Sequence, residues 1–159
     1  MTEPFELSVA EAASSINQGR LSPVELIESL LSRARALEPS LRVWVTLDEE
    51  AALAAARRSE AELNDGPAGP VHGIPVGVKD IFYTAGVKTT ACSPIYADFV
   101  PRYDSEAVRR LKDAGAIMMG KTVTTEFACM DPSPTRNPWN PEHTPGGSSS
   151  GSAVGVAAR

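Results

Sequence analysis

The chain has 159 residues, of which 42% are apolar and 22% are charged, a composition typical of a globular protein with one core. A formal net charge of −5 without blocks of like charge argues against nucleic acid or an anionic membrane as a direct partner. No apolar run approaches the roughly 20 residues that cross a bilayer, and the acidic N-terminus lacks the features of a signal peptide. Because two cysteines are too few for a disulfide framework, we expect a cytoplasmic protein.

Two helices are predicted at the start of the chain. Ser8 and Glu11 have the spacing of a capping box, which predicts a helix that runs to about Gln18. Ser22 and Glu25 repeat this signal, with a proline at the first helical position. Apolar residues then recur at helical spacing, so the two segments are interpreted as a helical hairpin.

The middle of the chain predicts a short strand over 42–46 and an alanine-rich helix over 48–63. A glycine- and proline-rich loop follows at 66–70. Neither side of this loop has an obvious core of its own, so it is not interpreted as a domain boundary. We expect one domain in which a helical segment (1–65) precedes the start of an α/β core (70–159).

The second part of the chain alternates strands with helices, which favours an α/β sheet. Strands are predicted over 76–79 and 116–119, and Asp104 is expected to cap a helix between them. Five prolines exclude regular structure over 131–147. A last helix is predicted to begin near Gly151.

The run 146–152 contains only glycine and serine, a composition typical of a flexible linker. Its position argues against a linker, because the small, mostly apolar residues that follow it up to Arg159 are typical of a buried helix start. Successive amides ahead of a helix N-terminus form a cradle for phosphate, carboxylate or a developing oxyanion. The serine hydroxyls could also relay protons.

Lys79 closes the apolar segment 73–79. Most lysines are solvated surface charges, but the neighbours of Lys79 on its strand face are Gly77 and Pro75, which leave room for its side chain to lie inward. A desolvated lysine loses its charge easily and can then act as a general base. Asp80 points to the opposite face of the strand and is interpreted as structural.

Residues 115–122 match the pattern of a phosphate-binding P-loop letter for letter. A P-loop needs a strand before its first glycine, an irregular loop between the glycines and a helix after them. Here a helix is predicted before Gly115, and the residues between the glycines are the predicted strand. Nucleotide binding is therefore rejected.

The other reactive side chains give weaker signals. His72 and His143 lie in predicted loops, where a histidine is typical of a local hydrogen-bonding residue. The spacing of histidine, cysteine and acidic residues does not predict a metal site. Cys129 could be a nucleophile, but a small buried cysteine is the favoured interpretation, and Cys92 carries no signal.

Lys79 and the glycine/serine run together suggest a lysine–serine hydrolytic site. Five segments, in one order, carry a wider pattern: 73–80, 115–122, 126–128, 137–138 and 145–153. This pattern resembles the amidase signature family from Ser8 to the last residue, which implies a mixed β-sheet covered by helices. The segment 127–138 looks most like that of compact bacterial members such as malonamidase. It lacks the longer loop usual in the A subunit of glutamyl-tRNA amidotransferase, which is a close relative.

The resemblance implies a Ser–cis-Ser–Lys triad without metal or cofactor. Lys79 would be the base, and Ser148 would be the bridging serine, held on a cis peptide after Gly147. Ser149 is implied as a hydrogen-bond partner of Lys79. Two residues are implied to line the acyl side of the substrate pocket: Cys129 and Met130.

In the family the nucleophilic serine lies roughly two dozen residues beyond the bridging serine. In this sequence that position falls past Arg159. We therefore expect the N-terminal third of an amidase, inactive alone, with an incomplete sheet and two of the three triad residues. The expected binding partner is a small-molecule amide substrate, and formation of a homodimer is left as an open possibility. Two alternatives remain: a component of an amidotransferase that delivers ammonia to a partner enzyme, and a non-catalytic remnant.

Overall fold

A computed structural model of the protein describes residues 2–63, 69–129 and 132–159. Within these residues the longer elements are, in chain order, α1 (Val9–Asn17), α2 (Pro23–Leu41), β1 (Trp44–Leu47), α3 (Glu49–Glu62), β2 (Pro75–Lys79), α4 (Glu106–Asp113), β3 (Ile117–Thr122) and α5 (Ser150–Ala158). Most of the predicted loop at 66–70 lies outside the described residues. None of the described helices is both long and apolar enough to span a bilayer.

The two capping boxes are present as predicted. The Ser8 hydroxyl accepts a hydrogen bond from the Glu11 amide at 3.3 Å, and the Glu11 carboxylate accepts one from the Ser8 amide at 2.8 Å. Ser22 and Glu25 form the same reciprocal pair at the start of α2. Each box satisfies amides that have no partner inside the helix, so both helices begin where the sequence predicts.

The helices pack less like a hairpin than expected, because α2 lies mainly along α3. The central core cluster joins these two helices to β3, and its buried members are Ile27, Leu31, Ala52, Ala56, Ile117 and Met119. Alanines four residues apart let α3 lie close to its neighbours. α1 meets α2 through a second cluster, which includes Ala12, Ile16 and Leu26.

The three strands form a mixed sheet in the order β1-β3-β2, which confirms the α/β prediction. β1 is antiparallel to β3, and β2 is parallel to β3, with Lys79 opposite Thr122. β1 begins later than predicted, because Arg42 adopts a left-handed conformation (φ 54°) that ends α2. β3 continues through Gly120 and Lys121, so the residues that resemble a P-loop form the central strand.

The prediction that Asp104 caps the helix before β3 is wrong, because Ser105 occupies the N-cap position of α4. The Asp104 carboxylate is already engaged elsewhere. It accepts a hydrogen bond from the Ala85 amide at 2.7 Å and forms an ion pair with Lys112 at 2.7 Å. These contacts hold the side chain away from the first amides of α4.

The predicted last helix is α5, and its start lies against the chain that follows β3. The Gly151 amide donates to the Val123 carbonyl at 2.9 Å. A Cβ atom on Gly151 would lie 2.5 Å from both the Val123 nitrogen and the Val43 carbonyl oxygen, closer than carbon can approach either atom. Glycine is therefore required for this contact.

The substitution Gly151→Ala is expected to destabilise the protein by about 1–3 kcal/mol, because backbone atoms must move to admit the methyl group. Val156→Ala is the control on the same helix, since Val156 is 81% exposed. Thermal unfolding of the three proteins measures the difference. Equal unfolding temperatures for Gly151→Ala and the unsubstituted protein would contradict the close contact.

Candidate functional site

Lys79 and Ser148, the two residues predicted to carry the chemistry, lie in direct contact although 69 positions separate them. The Lys79 Nζ atom donates a hydrogen bond to the Ser148 Oγ atom at 2.6 Å. The peptide bond between Gly147 and Ser148 is cis, as the family resemblance implies. The arrangement therefore joins an amine and a hydroxyl through one short hydrogen bond.

The sheet brings these two side chains together. Lys79 is the last residue of β2, and parallel pairing places it opposite Thr122, the last residue of β3. The chain after β3 then binds the start of α5: the Thr125 amide donates to the Ser148 carbonyl at 3.1 Å. Ser148 is thus held by the segment that continues the strand next to Lys79.

Two further serines anchor the glycine/serine run to other parts of the protein. Ser150 is buried, and its hydroxyl accepts from the Ser133 hydroxyl at 2.6 Å. Ser152 shares a hydrogen bond of 2.7 Å with the Thr122 hydroxyl. The run is therefore packed against a strand and a loop, which is incompatible with a flexible linker.

The remaining predicted site residues have different surroundings. Within the described residues no hydrogen bond joins Ser149 to Lys79, so the supporting role of Ser149 stays a prediction. Cys129 is exposed, which corrects the favoured interpretation of a small buried cysteine. It follows a short 3-10 turn and is not enclosed by a core. Met130 lies outside the described residues.

Burial lowers the pKa of the Lys79 ammonium group below the ordinary lysine value of 10.5. The cause is the loss of hydrating water around the charged form. A lowered pKa increases the fraction of neutral amine at a given pH, and only the neutral amine can accept a proton. The Ser148 hydroxyl is in position to donate it.

Lys121, the lysine of the rejected P-loop pattern, has a different environment. Its side chain is fully buried, and its Nζ atom donates to the Phe82 carbonyl at 2.8 Å and to the Thr89 hydroxyl at 2.6 Å. The Asp80 carboxylate lies 3.3 Å away as an ion-pair partner. Because the Lys121 side chain has no exposed surface, its ammonium group is not open to a substrate.

Sequence reasoning did not find the Asp80–Lys121 pair. The available signal was a charged residue at the end of each of two apolar strands. Only the pairing of β2 with β3 brings these charges together.

The surroundings of the two histidines and of Cys92 are typical of residues that support the fold. His72 is buried, and its Nε2 atom lies 2.8 Å from both the hydroxyl and the carbonyl oxygen of Ser59. His143 is exposed, and its backbone amide donates to the Asn140 carbonyl. Burial raises the pKa of the Cys92 thiol, which disfavours the reactive thiolate. Among the described residues no group of three or more possible ligands could hold a metal ion.

The family model described as Amidase matches residues 25–159, which is most of the chain. The chain belongs to the amidase family. Among curated amidase relatives, it is 44% identical over 163 residues to the A subunit of the glutamyl-tRNA(Gln) amidotransferase of Geobacter metallireducens, covering 99% of this chain and 34% of that protein. The corresponding protein of Azoarcus sp., which has the same name, is 46% identical over 158 residues, with coverage of 96% and 32%.

Solved structures confirm the amidase fold. The peptide amidase of Stenotrophomonas maltophilia superposes with a TM-score of 0.90 at 38% identity, covering 98% of this chain and 35% of that one. The predicted family and its helix-covered mixed sheet are therefore confirmed. The chain spans about a third of the length of the relatives that it matches.

The lowered pKa of Lys79 can be measured by NMR titration of ¹³Cε-labelled lysine, with the resonance assigned by its loss in Lys79→Arg. We expect a midpoint below 10.5. Ser148→Ala should leave the midpoint low, because burial and not the serine hydroxyl is the cause. A midpoint at or above 10.5 in the unsubstituted protein would contradict this assignment.

Proposed function

We propose that this chain supplies the base and the bridging serine of an enzyme that hydrolyses a carboxylic amide to an acid and ammonia or an amine. The observation that carries the proposal is the 2.6 Å hydrogen bond between Lys79 Nζ and Ser148 Oγ. Membership of the amidase family supports the reaction class. The amine and the hydroxyl would act as one proton relay.

In this mechanism Lys79 is neutral when the substrate binds. Ser148 gives its hydroxyl proton to Lys79 and takes the proton of a nucleophilic serine, whose oxygen attacks the amide carbon. The resulting tetrahedral intermediate loses ammonia or an amine, which receives a proton back through the relay. Water then gives a proton to the relay and attacks the acyl carbon. The acid is released, and the relay returns the proton to the nucleophilic serine.

The proposed nucleophile is a serine located past Arg159 in the complete enzyme. The family resemblance implies this position, and the length of the relatives, about three times that of this chain, supports it. The complete enzyme would therefore combine the relay of this chain with a nucleophile and oxyanion-binding amides from the following segment. Ser149 would support Lys79, and Cys129 and Met130 would line the acyl side of the pocket.

The substitutions Lys79→Ala and Ser148→Ala test this proposal in the protein expressed from the complete gene. Each is expected to reduce kcat/KM for amide hydrolysis by about a thousandfold or more, since each interrupts the proposed proton relay. Ammonia release from a panel of primary amides is the measurement.

The control is Arg110→Ala, because it also removes a cationic side chain, one that forms an ion pair with Glu106 at the surface of α4. The control should retain full activity. Undiminished hydrolysis in both Lys79→Ala and Ser148→Ala would show that the reaction takes another path.

A second candidate is the A subunit of a glutamyl-tRNA(Gln) amidotransferase, in which the ammonia passes to a partner enzyme. The curated relatives described above carry that name, which favours this candidate. The compact segment 127–138 favours a free amidase.

The two candidates differ in their need for a partner. A free amidase should release ammonia when purified alone. An amidotransferase component should co-purify with a second protein that carries a tRNA-linked activity, and ammonia release should rise when that protein is added. Affinity purification of the complete protein followed by the ammonia assay separates them.

A further inference from the structure

A fully buried ion pair between Asp80 and Lys121 adjoins Lys79 and its strand partner Thr122 along the chain. Asp80 follows Lys79, and Lys121 precedes Thr122 on the neighbouring strand. Both side chains are completely inaccessible to solvent, and the Asp80 Oδ1 atom lies 3.3 Å from the Lys121 Nζ atom. Removing two charges from water costs free energy unless neighbouring groups compensate them. The hydrogen bonds that each side chain makes therefore identify the part of the chain that the pair orders.

The pair holds both parts of the loop 80–93. Near the start of the loop, the Lys121 ammonium binds the Phe82 carbonyl at 2.8 Å. Towards its end, the Asp80 Oδ2 atom accepts hydrogen bonds from the Thr90 amide at 2.9 Å and from the Thr90 hydroxyl at 2.6 Å. The Asp80 carbonyl accepts from the Ala91 amide at 2.9 Å.

The end of this loop leads to Ser148 through the segment 125–127. The Ala91 carbonyl accepts from the Phe127 amide at 3.0 Å. The Ser93 hydroxyl donates to the Glu126 carboxylate at 2.6 Å. The Thr125 amide in turn donates to the Ser148 carbonyl at 3.1 Å, as described above. Hydrogen bonds therefore connect the buried pair to the backbone of the bridging serine.

We propose that Asp80 and Lys121 are positioning residues that order the 80–93 loop and, through 125–127, hold Ser148 against Lys79. For its catalytic consequence this inference depends on the proposed function; its structural part does not. The pair does not touch the reacting atoms. Hydrogen bonds to charged groups have a defined geometry, so this pair fixes one position of the loop. An apolar pair of similar volume would not fix that position.

Removing one charge would leave the other buried and unpaired, and the protein could then fail to fold. The double variant Asp80→Asn/Lys121→Met removes both charges at similar volume. A milder variant, Thr90→Val, keeps both charges and removes one hydroxyl that donates to Asp80. Val108→Ala is the control, because Val108 is buried on α4 and takes no part in these hydrogen bonds, so its truncation lowers stability through a cavity alone.

The first measurement is backbone amide hydrogen exchange in the isotopically labelled protein. In both test variants the protection of the Thr125 and Phe127 amides should fall about tenfold or more relative to the amides of the β2–β3 ladder. In Val108→Ala this ratio should stay constant, because a general loss of stability affects both groups. An unchanged ratio in both test variants would overturn the inference whether or not the protein is an amidase.

The second measurement is amide hydrolysis by the protein from the complete gene. Both test variants should lower kcat about tenfold or more, with KM within about threefold, because a misplaced relay slows proton transfer without removing substrate contacts. Val108→Ala should keep its kcat at temperatures where it is folded. Retention of kcat by both test variants would overturn the positioning role, whereas activity that survives Lys79→Ala would overturn the proposed function instead.

Discussion

The parallel pairing of β2 with β3 is the constraint on which the site depends. Parallel strands end at the same edge of a sheet, so the chain leaving β2 at Lys79 and the chain leaving β3 at Thr122 begin side by side. The second of these chains binds the N-terminal end of α5 and thereby places Ser148 against the lysine. If this register slipped by one residue, Lys79 and Asp80 would exchange faces, and the amine would leave the site.

Two lysines at this edge show how environment assigns different roles to one residue type. Lys121 has no contact with solvent, and its ammonium group is surrounded by a carboxylate, a carbonyl and a hydroxyl. Lys79 is half-buried, and its ammonium group donates to a single serine hydroxyl. Burial lowers the pKa of both ammonium groups, and at Lys121 the neighbouring Asp80 carboxylate opposes this effect.

Both the α/β architecture and the membership of the amidase family were predicted from the sequence. The architecture was predicted from local helix and strand patterns, and the family was predicted from the order of short motif segments. Neither prediction requires knowledge of contacts between distant residues. The chain corresponds to about a third of the peptide amidase structure that it matches. The contact between Lys79 Nζ and Ser148 Oγ, from which the proposed function follows, lies within this chain.

The sequence by itself determined what depends on neighbours along the chain. Capping boxes at Ser8 and Ser22 act over three residues, and the helices begin where these boxes predict. Lys79 and the glycine/serine run were also identified from their local segments, whereas the choice of Ser148 within that run came from the family resemblance. Tertiary structure decided every interaction between distant segments. Asp104 contacts Ala85 and Lys112 and does not cap α4, because partners elsewhere in the fold can outcompete a local amide. The contact between Lys79 and Ser148 exists only because the strands pair, since no local rule specifies a hydrogen bond across 69 positions.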